Sequence, residues 1–293
     1  MRLPRSLAVL ALALPLTVLP AASGQAAPPA PATYLALGDS VAFGTGATDP
    51  ATQGYVPLLA AELQGKGCGK DKGKGKAVGC RVEVVNLAVN GATTTSLLAG
   101  QLQPALDLIA ERNATRTPVD DVRLITITIG GNDVVNPVVA ACLYGLADCA
   151  TTANATIQQL STNYARILGA LREAAGPDTT IAVTSYYNAV ANPGCPLRTD
   201  PRISPRLLPL IVPLGQAVLE GGVLPDGRVI AAGFNDAIRQ QAAAYGAVVV
   251  DTAEVVDPVS ETQPDCLHPN TAGYADIADQ LADAVGNPFK GGR

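Results

Sequence analysis

"VRLITITIGGND", residues 122–133, carries the clearest strand signal in the chain. Apart from Arg123 it is a near-continuous run of aliphatic and β-branched residues, closed by two glycines. Such a run, without polar alternation, suits a strand buried on both faces, as in a parallel sheet. Four more runs share the character: "TYLALGD" (33–39), "RVEVVNLA" (81–88), "TTIAVTSYY" (179–187) and "GAVVVD" (246–251). Helical patterns separate them, at 54–64, 95–113, 155–176 and 233–246. A fifth, "NTAGYADIADQLADAV" (270–285), places Tyr274, Ile277, Ala278, Leu281 and Val285 at three- and four-residue intervals, an apolar stripe for packing on a sheet. Alternating strand and helix signals imply right-handed βαβ units and a three-layer α/β/α sandwich.

The first residues bear on compartment. Arg2 and Arg5 precede a short apolar run that Pro15 and Pro20 interrupt and small residues follow, the pattern of a secretory signal peptide over residues 1–26. About 20 unbroken apolar residues would be needed to span a bilayer. A secreted protein without a stable membrane anchor is therefore expected, with residues 27–293 as one domain. Removing Arg2 and Arg5 from the 20 basic residues leaves 18 against 25 acidic ones, a net charge near −7. That balance argues against a nucleic-acid partner, which needs concentrated Lys and Arg. Five lysines do cluster in "GKGCGKDKGKGKAVGC" (65–80), but its glycines and lack of aromatics read as a solvated loop. The chain is expected to act as a monomer.

Six cysteines in an exported chain read as disulfides. Zinc is the rival, yet no pair has C-x-x-C spacing and the sequence holds a single histidine. Of the fifteen pairings possible for six cysteines, the sequential one is favoured. Cys68–Cys80 and Cys142–Cys149 close short loops and leave Cys195–Cys266.

The polar motifs fall where a parallel sheet collects function, at the carboxyl ends of its strands. "LGDSVAFG" puts Ser40 at the turn after the first strand, "NLAVNGATT" puts Gly91 after the second, and "IGGNDVV" puts Asn132 after the third. "DCLHPN" carries His268, the lone histidine, just before the last helix. A serine hydroxyl becomes nucleophilic when a base takes its proton, and imidazole is suited to that exchange. The base works best when its other nitrogen is held by an acceptor. Asp265, three residues before His268, can be that acceptor if the chain turns. Acyl transfer also needs donors for the developing oxyanion. The backbone N–H groups of Ser40 and Gly91 and the side-chain amide of Asn132 are the candidates.

These four blocks, in this order, resemble the SGNH (GDSL) hydrolases: Ser40 in "GDS", Gly91 in "NGAT", Asn132 in "GGND" and His268 in "DCLHP". The resemblance runs from about residue 33 to 285 and is nearest to the secreted actinobacterial lipases and esterases of the family, which also carry three sequential disulfides. It implies a flavodoxin-like fold with strand order 2-1-3-4-5 and metal-independent ester hydrolysis without a cofactor. It also implies Ser40, His268 and Asp265 as catalytic residues, and Ser40, Gly91 and Asn132 as the oxyanion hole. In some members a backbone carbonyl replaces the acid. No G-x-S-x-G elbow is present.

The expected substrate is a small-molecule or lipid ester. Acetylated carbohydrate, phospholipid or thioester would use the same residues, and a binding protein that lost activity is the reading from another class. All four marker residues being present disfavours the last. The long apolar segment from Leu207 to Leu224 lies between the fourth and fifth strands. It is expected to wall an acyl site.

Overall fold

The structure, a computed structural model, describes residues 31–66, 69–70, 77–78, 81–114, 121–145 and 147–290. The expected leader and the Cys68–Cys80 pair lie outside the described residues. Five strands form the central sheet: β1 (Ala32–Gly38), β2 (Val82–Asn86), β3 (Val122–Thr128), β4 (Thr180–Thr184) and β5 (Val248–Val250). All pair in parallel, in the order β2-β1-β3-β4-β5, as expected. Four of the five strands are shorter than their apolar runs, and in β2, β3 and β4 the last residues of the run leave the ladder to form the turns that carry polar groups.

Helices α1 (Ser40–Phe43), α2 (Pro50–Gln53) and α3 (Tyr55–Gly65) follow β1, and α4 (Thr94–Gly100) and α5 (Leu102–Asn113) follow β2. After β3 come α6 (Gly131–Cys142) and α7 (Cys149–Ala175), and after β4 come α8 (Ile211–Glu220) and α9 (Phe234–Ala244). The chain closes with α10 (Thr252–Val255) and α11 (Thr271–Val285) after β5. The period-two pleat divides the core between the two faces. On β1, Leu35 and Leu37 join the apolar cluster of α5, α7 and α9, while Tyr34 and Ala36 join that of α3 and α11. The result is the three-layer sandwich that the alternating pattern implies.

Two departures from the sequence pattern matter for the site. The helix expected over 95–113 is broken at Gln101, whose buried side chain is used elsewhere. Residues 131–142, which begin "GNDVVNP", form a helix although Pro137 lies within it. An interior proline costs a helix about 3 kcal/mol. Burying Val134 and Val138 contributes about 1.5–3 kcal/mol for each side chain, so packing against α7 outweighs propensity. In α8, Pro213 occupies the first turn, where the N–H it lacks has no intrahelical partner anyway.

Cys142–Cys149 joins the end of α6 to the start of α7, and Cys195–Cys266 ties the segment after β4 to the turn before α11. Among the described residues, no helix is long and apolar enough to cross a membrane.

Candidate active site

The turn after β1 is set by Gly38. Its φ is +143°, and a Cβ there would lie 2.0 Å from the Thr128 carbonyl oxygen, so only glycine lets β1 turn this close to β3. The buried Gln101 amide holds the same residue from the other side, accepting from the Gly38 N–H (2.9 Å) and donating to its carbonyl (2.8 Å). Asp39 then caps α1, its Oδ1 accepting from the Val41 N–H (2.9 Å). Ser40, the first residue of α1, is 6% exposed.

The turn before α11 brings His268 to this serine. His268 Nε2 lies 2.8 Å from Ser40 Oγ, and Nδ1 lies 2.6 Å from Asp265 Oδ2. A carboxylate only accepts, so the ring proton sits on Nδ1 and Nε2 faces the serine hydroxyl as acceptor. The 265–268 turn is closed by Asp265 Oδ1, which accepts from the Leu267 and His268 N–H groups (3.0 Å each). Cys266 sits inside it at φ +64°, a left-handed conformation that a non-glycine residue adopts at a cost. The bond to Cys195 and a hydrogen bond from the Tyr187 hydroxyl to the Leu267 carbonyl (2.8 Å) brace that conformation.

Gly91 is exposed at φ +76° in the turn after β2, and Asn132 stands in the first turn of α6. The two are linked, since Asn132 Nδ2 donates to the Ala92 carbonyl (2.9 Å) and its second N–H remains for another acceptor. Asp133 strengthens the link. Its carboxylate accepts from the Thr94 N–H (2.8 Å) and hydroxyl (2.5 Å), so it fastens the neighbouring turn to α6. All five residues expected at the site thus gather at the carboxyl edge of the sheet.

The electrostatics differ among the carboxylates. Burial pushes Asp265 up, but hydrogen bonds from the His268 ring and from the His268 and Leu267 backbone outweigh it and hold the group below its usual range. Burial raises Asp39 to about 6, against the pull of the Val41 N–H, the Tyr186 hydroxyl and His268. With its folded value above its unfolded one, Asp39 favours the fold when protonated. Ionised above about pH 6 it costs about 3 kcal/mol, and below about pH 4 the group is protonated in both states and the cost vanishes. The melting temperature of Asp39→Asn relative to wild type is therefore expected to rise between pH 4 and pH 8. A difference that is constant across that window, read by differential scanning calorimetry, would contradict it.

An apolar cavity of about 130 Å³ lies at the same edge of the sheet. Val134 and Val138 of α6, Ile211, Leu214 and Val218 of α8, and Phe234 of α9 line it, together with Gly131 and Leu267, the sequence neighbours of Asn132 and His268. Helix α8 is held there by Glu220, which accepts from Arg239 Nη1 (2.7 Å) and Asn235 Nδ2 (2.6 Å). The apolar wall expected between Leu207 and Leu224 is thus supplied mainly by α8. Sequence reasoning missed Gln101, Tyr186 and Tyr187. The last two stand in "SYYN" at the end of β4, a position that signals function by its place on the sheet edge.

Among the described residues, no group of three or more His, Cys, Asp or Glu side chains is placed to hold a metal ion. Residues 36–275 match the model of the GDSL-like lipase/acylhydrolase family. No curated protein matches the chain significantly. The fold is similar to that of the lipase Lip_vut3 from a goat rumen metagenome, at TM-score 0.60 and 20% identity over 88% of this chain and 100% of that one. It is also similar to a protein described as a GDSL-like lipase from Parabacteroides merdae, at TM-score 0.52 and 14% identity over 88% and 96%. A further structure, the acetylxylan esterase Axe2 from Geobacillus stearothermophilus, aligns at TM-score 0.44 and 18% identity over 89% and 97%. The family match spans most of the sequence, and the chain belongs to the GDSL-like lipase/acylhydrolase family.

Proposed function

We propose that this protein is a secreted, single-domain serine ester hydrolase acting on medium-chain acyl esters, with Ser40 as nucleophile, His268 as general base and Asp265 as the acid that orients it. The observation that carries the reading is the unbroken chain from Asp265 Oδ2 to His268 to Ser40 Oγ, at 2.6 and 2.8 Å, with the neighbours of Asn132 and His268 lining an apolar cavity. Ser40 Oγ attacks the ester carbonyl as its proton passes to His268 Nε2, and Asp265 stabilises the imidazolium that forms. The oxyanion is received by the N–H groups of Ser40 and Gly91 and the free N–H of Asn132. The imidazolium protonates the departing alcohol, and a water activated by the same ring releases the acid. Export is supported by the leader pattern of residues 1–26 and by the two disulfides among the described residues.

Asn132→Ala is expected to lower kcat about 10²- to 10³-fold with little change in KM, the usual cost of one oxyanion donor. Steady-state kinetics showing a large KM rise at normal kcat would instead make Asn132 a ground-state contact.

The cavity sets the acyl preference. A cavity of about 150 Å³ holds benzene, so this one takes about six carbons before a chain reaches its open end. At about 0.8 kcal/mol for each buried methylene, kcat/KM is expected to climb up to about 200-fold from acetyl to hexanoyl p-nitrophenyl esters. Replacing Leu214 by Asn should flatten that climb while sparing acetate. A wild-type enzyme that prefers acetate, with turnover on acetylated xylan, would make it a carbohydrate esterase.

A further inference from the structure

Tyr186 belongs to two places at once. Its ring lines the apolar cavity and rests 4.9 Å, centroid to centroid, from Phe234. At the hydroxyl end of the ring lies the start of α6, where a Cβ on Gly131 would come within 3.1 Å of Tyr186 Cε1, so the ring sits directly against the residue before Asn132. The hydroxyl, 2.8 Å from Asp39 Oδ2, donates to the carboxylate whose other oxygen caps α1 under Ser40. Burial raises the phenol well above its ordinary range, so it remains a donor across the working range of pH. The backbone is pinned, with the N–H donating to Asn235 Oδ1 and the carbonyl accepting from Asn235 Nδ2 (2.8 Å each). The ring is the part of the residue that meets what fills the cavity.

We infer that Tyr186 is a positioning residue that couples filling of the apolar cavity to alignment of Ser40 and Asn132, its ring meeting the acyl chain and its hydroxyl holding Asp39 beneath the nucleophile. The inference rests on Ser40 being the nucleophile. An acyl chain in the cavity packs on the ring beside Gly131 and Phe234, and what holds the ring holds the hydroxyl on Asp39. Binding energy gathered remotely from the reacting atoms then appears in the chemical step, not only in affinity.

The test is labelling by p-nitrophenyl alkylphosphonates bearing methyl to hexyl chains, with the maximal labelling rate and the half-saturating concentration measured separately. In wild type the maximal rate is expected to rise about tenfold from methyl to hexyl. In Tyr186→Phe, which keeps the wall and loses the hydroxyl, the rate should be flat with chain length while the half-saturating concentration still falls. A merely structural tyrosine would lower stability or slow every probe alike, and a Tyr186→Phe series that keeps the wild-type rise overturns the inference. If that variant does not fold, the wild-type series decides: a rising maximal rate upholds the coupling and a flat one overturns it. Failure of every phosphonate to label wild-type Ser40 would overturn the nucleophile assignment beneath it.

Discussion

Replacing Ser40 with alanine is expected to lower ester turnover by about 10⁴-fold or more. The hydroxyl is the atom placed 2.8 Å from His268 Nε2, and no second hydroxyl hydrogen-bonded to His268 is found among the described residues. The substitution removes one oxygen from a residue held by its backbone: Gly38 by Gln101, the Asp39 N–H by the Thr128 carbonyl (2.9 Å), and α1 by the Asp39 cap. The fold should therefore persist, with an unchanged circular dichroism spectrum and a similar melting temperature. Loss of turnover in a folded variant is the expected result. Retention of a tenth of the activity would remove Ser40 from the mechanism.

His268→Gln is expected to cost about 10²- to 10⁴-fold in kcat, the usual range for a lost general base. Glutamine can still bridge Asp265 and Ser40, but its amide cannot take the proton. The sequence contains no other histidine, so no neighbouring imidazole can stand in. The turn should survive, because Asp265 Oδ1 accepts from backbone N–H groups that the substitution leaves in place. A pH–rate profile in the variant that matches wild type would place the base elsewhere.

The sheet and the candidate residues were legible for the same physical reason. The buried parallel strands β1, β3 and β4 leave nearly unbroken apolar runs, the half-exposed edge strand β2 keeps a shorter one, and each run ends where the chain turns out of the sheet, so Ser40, Gly91 and Asn132 are marked by the ends of β1, β2 and β3. His268 stood out by being alone. What stayed hidden depends on contacts distant in sequence. Gln101 reads as an ordinary position in a helix until its amide is found on Gly38, 63 residues away. Tyr186 reads as the tail of a strand until its hydroxyl meets Asp39, 147 residues away. Helix α6 was obscured by local signals, two glycines and a proline, which lost to the burial of Val134 and Val138. The cavity is a property of α6, α8 and α9 together and has no local signature.

If Ser40 carries the acyl group, it is also where a covalent phosphonate adduct forms. Wild-type protein treated with p-nitrophenyl hexylphosphonate should gain a single adduct by intact mass. Peptide mapping should place it on Ser40, and His268→Gln should acquire it far more slowly. An adduct on any other serine, or none under conditions where ester turnover is normal, would contradict the account.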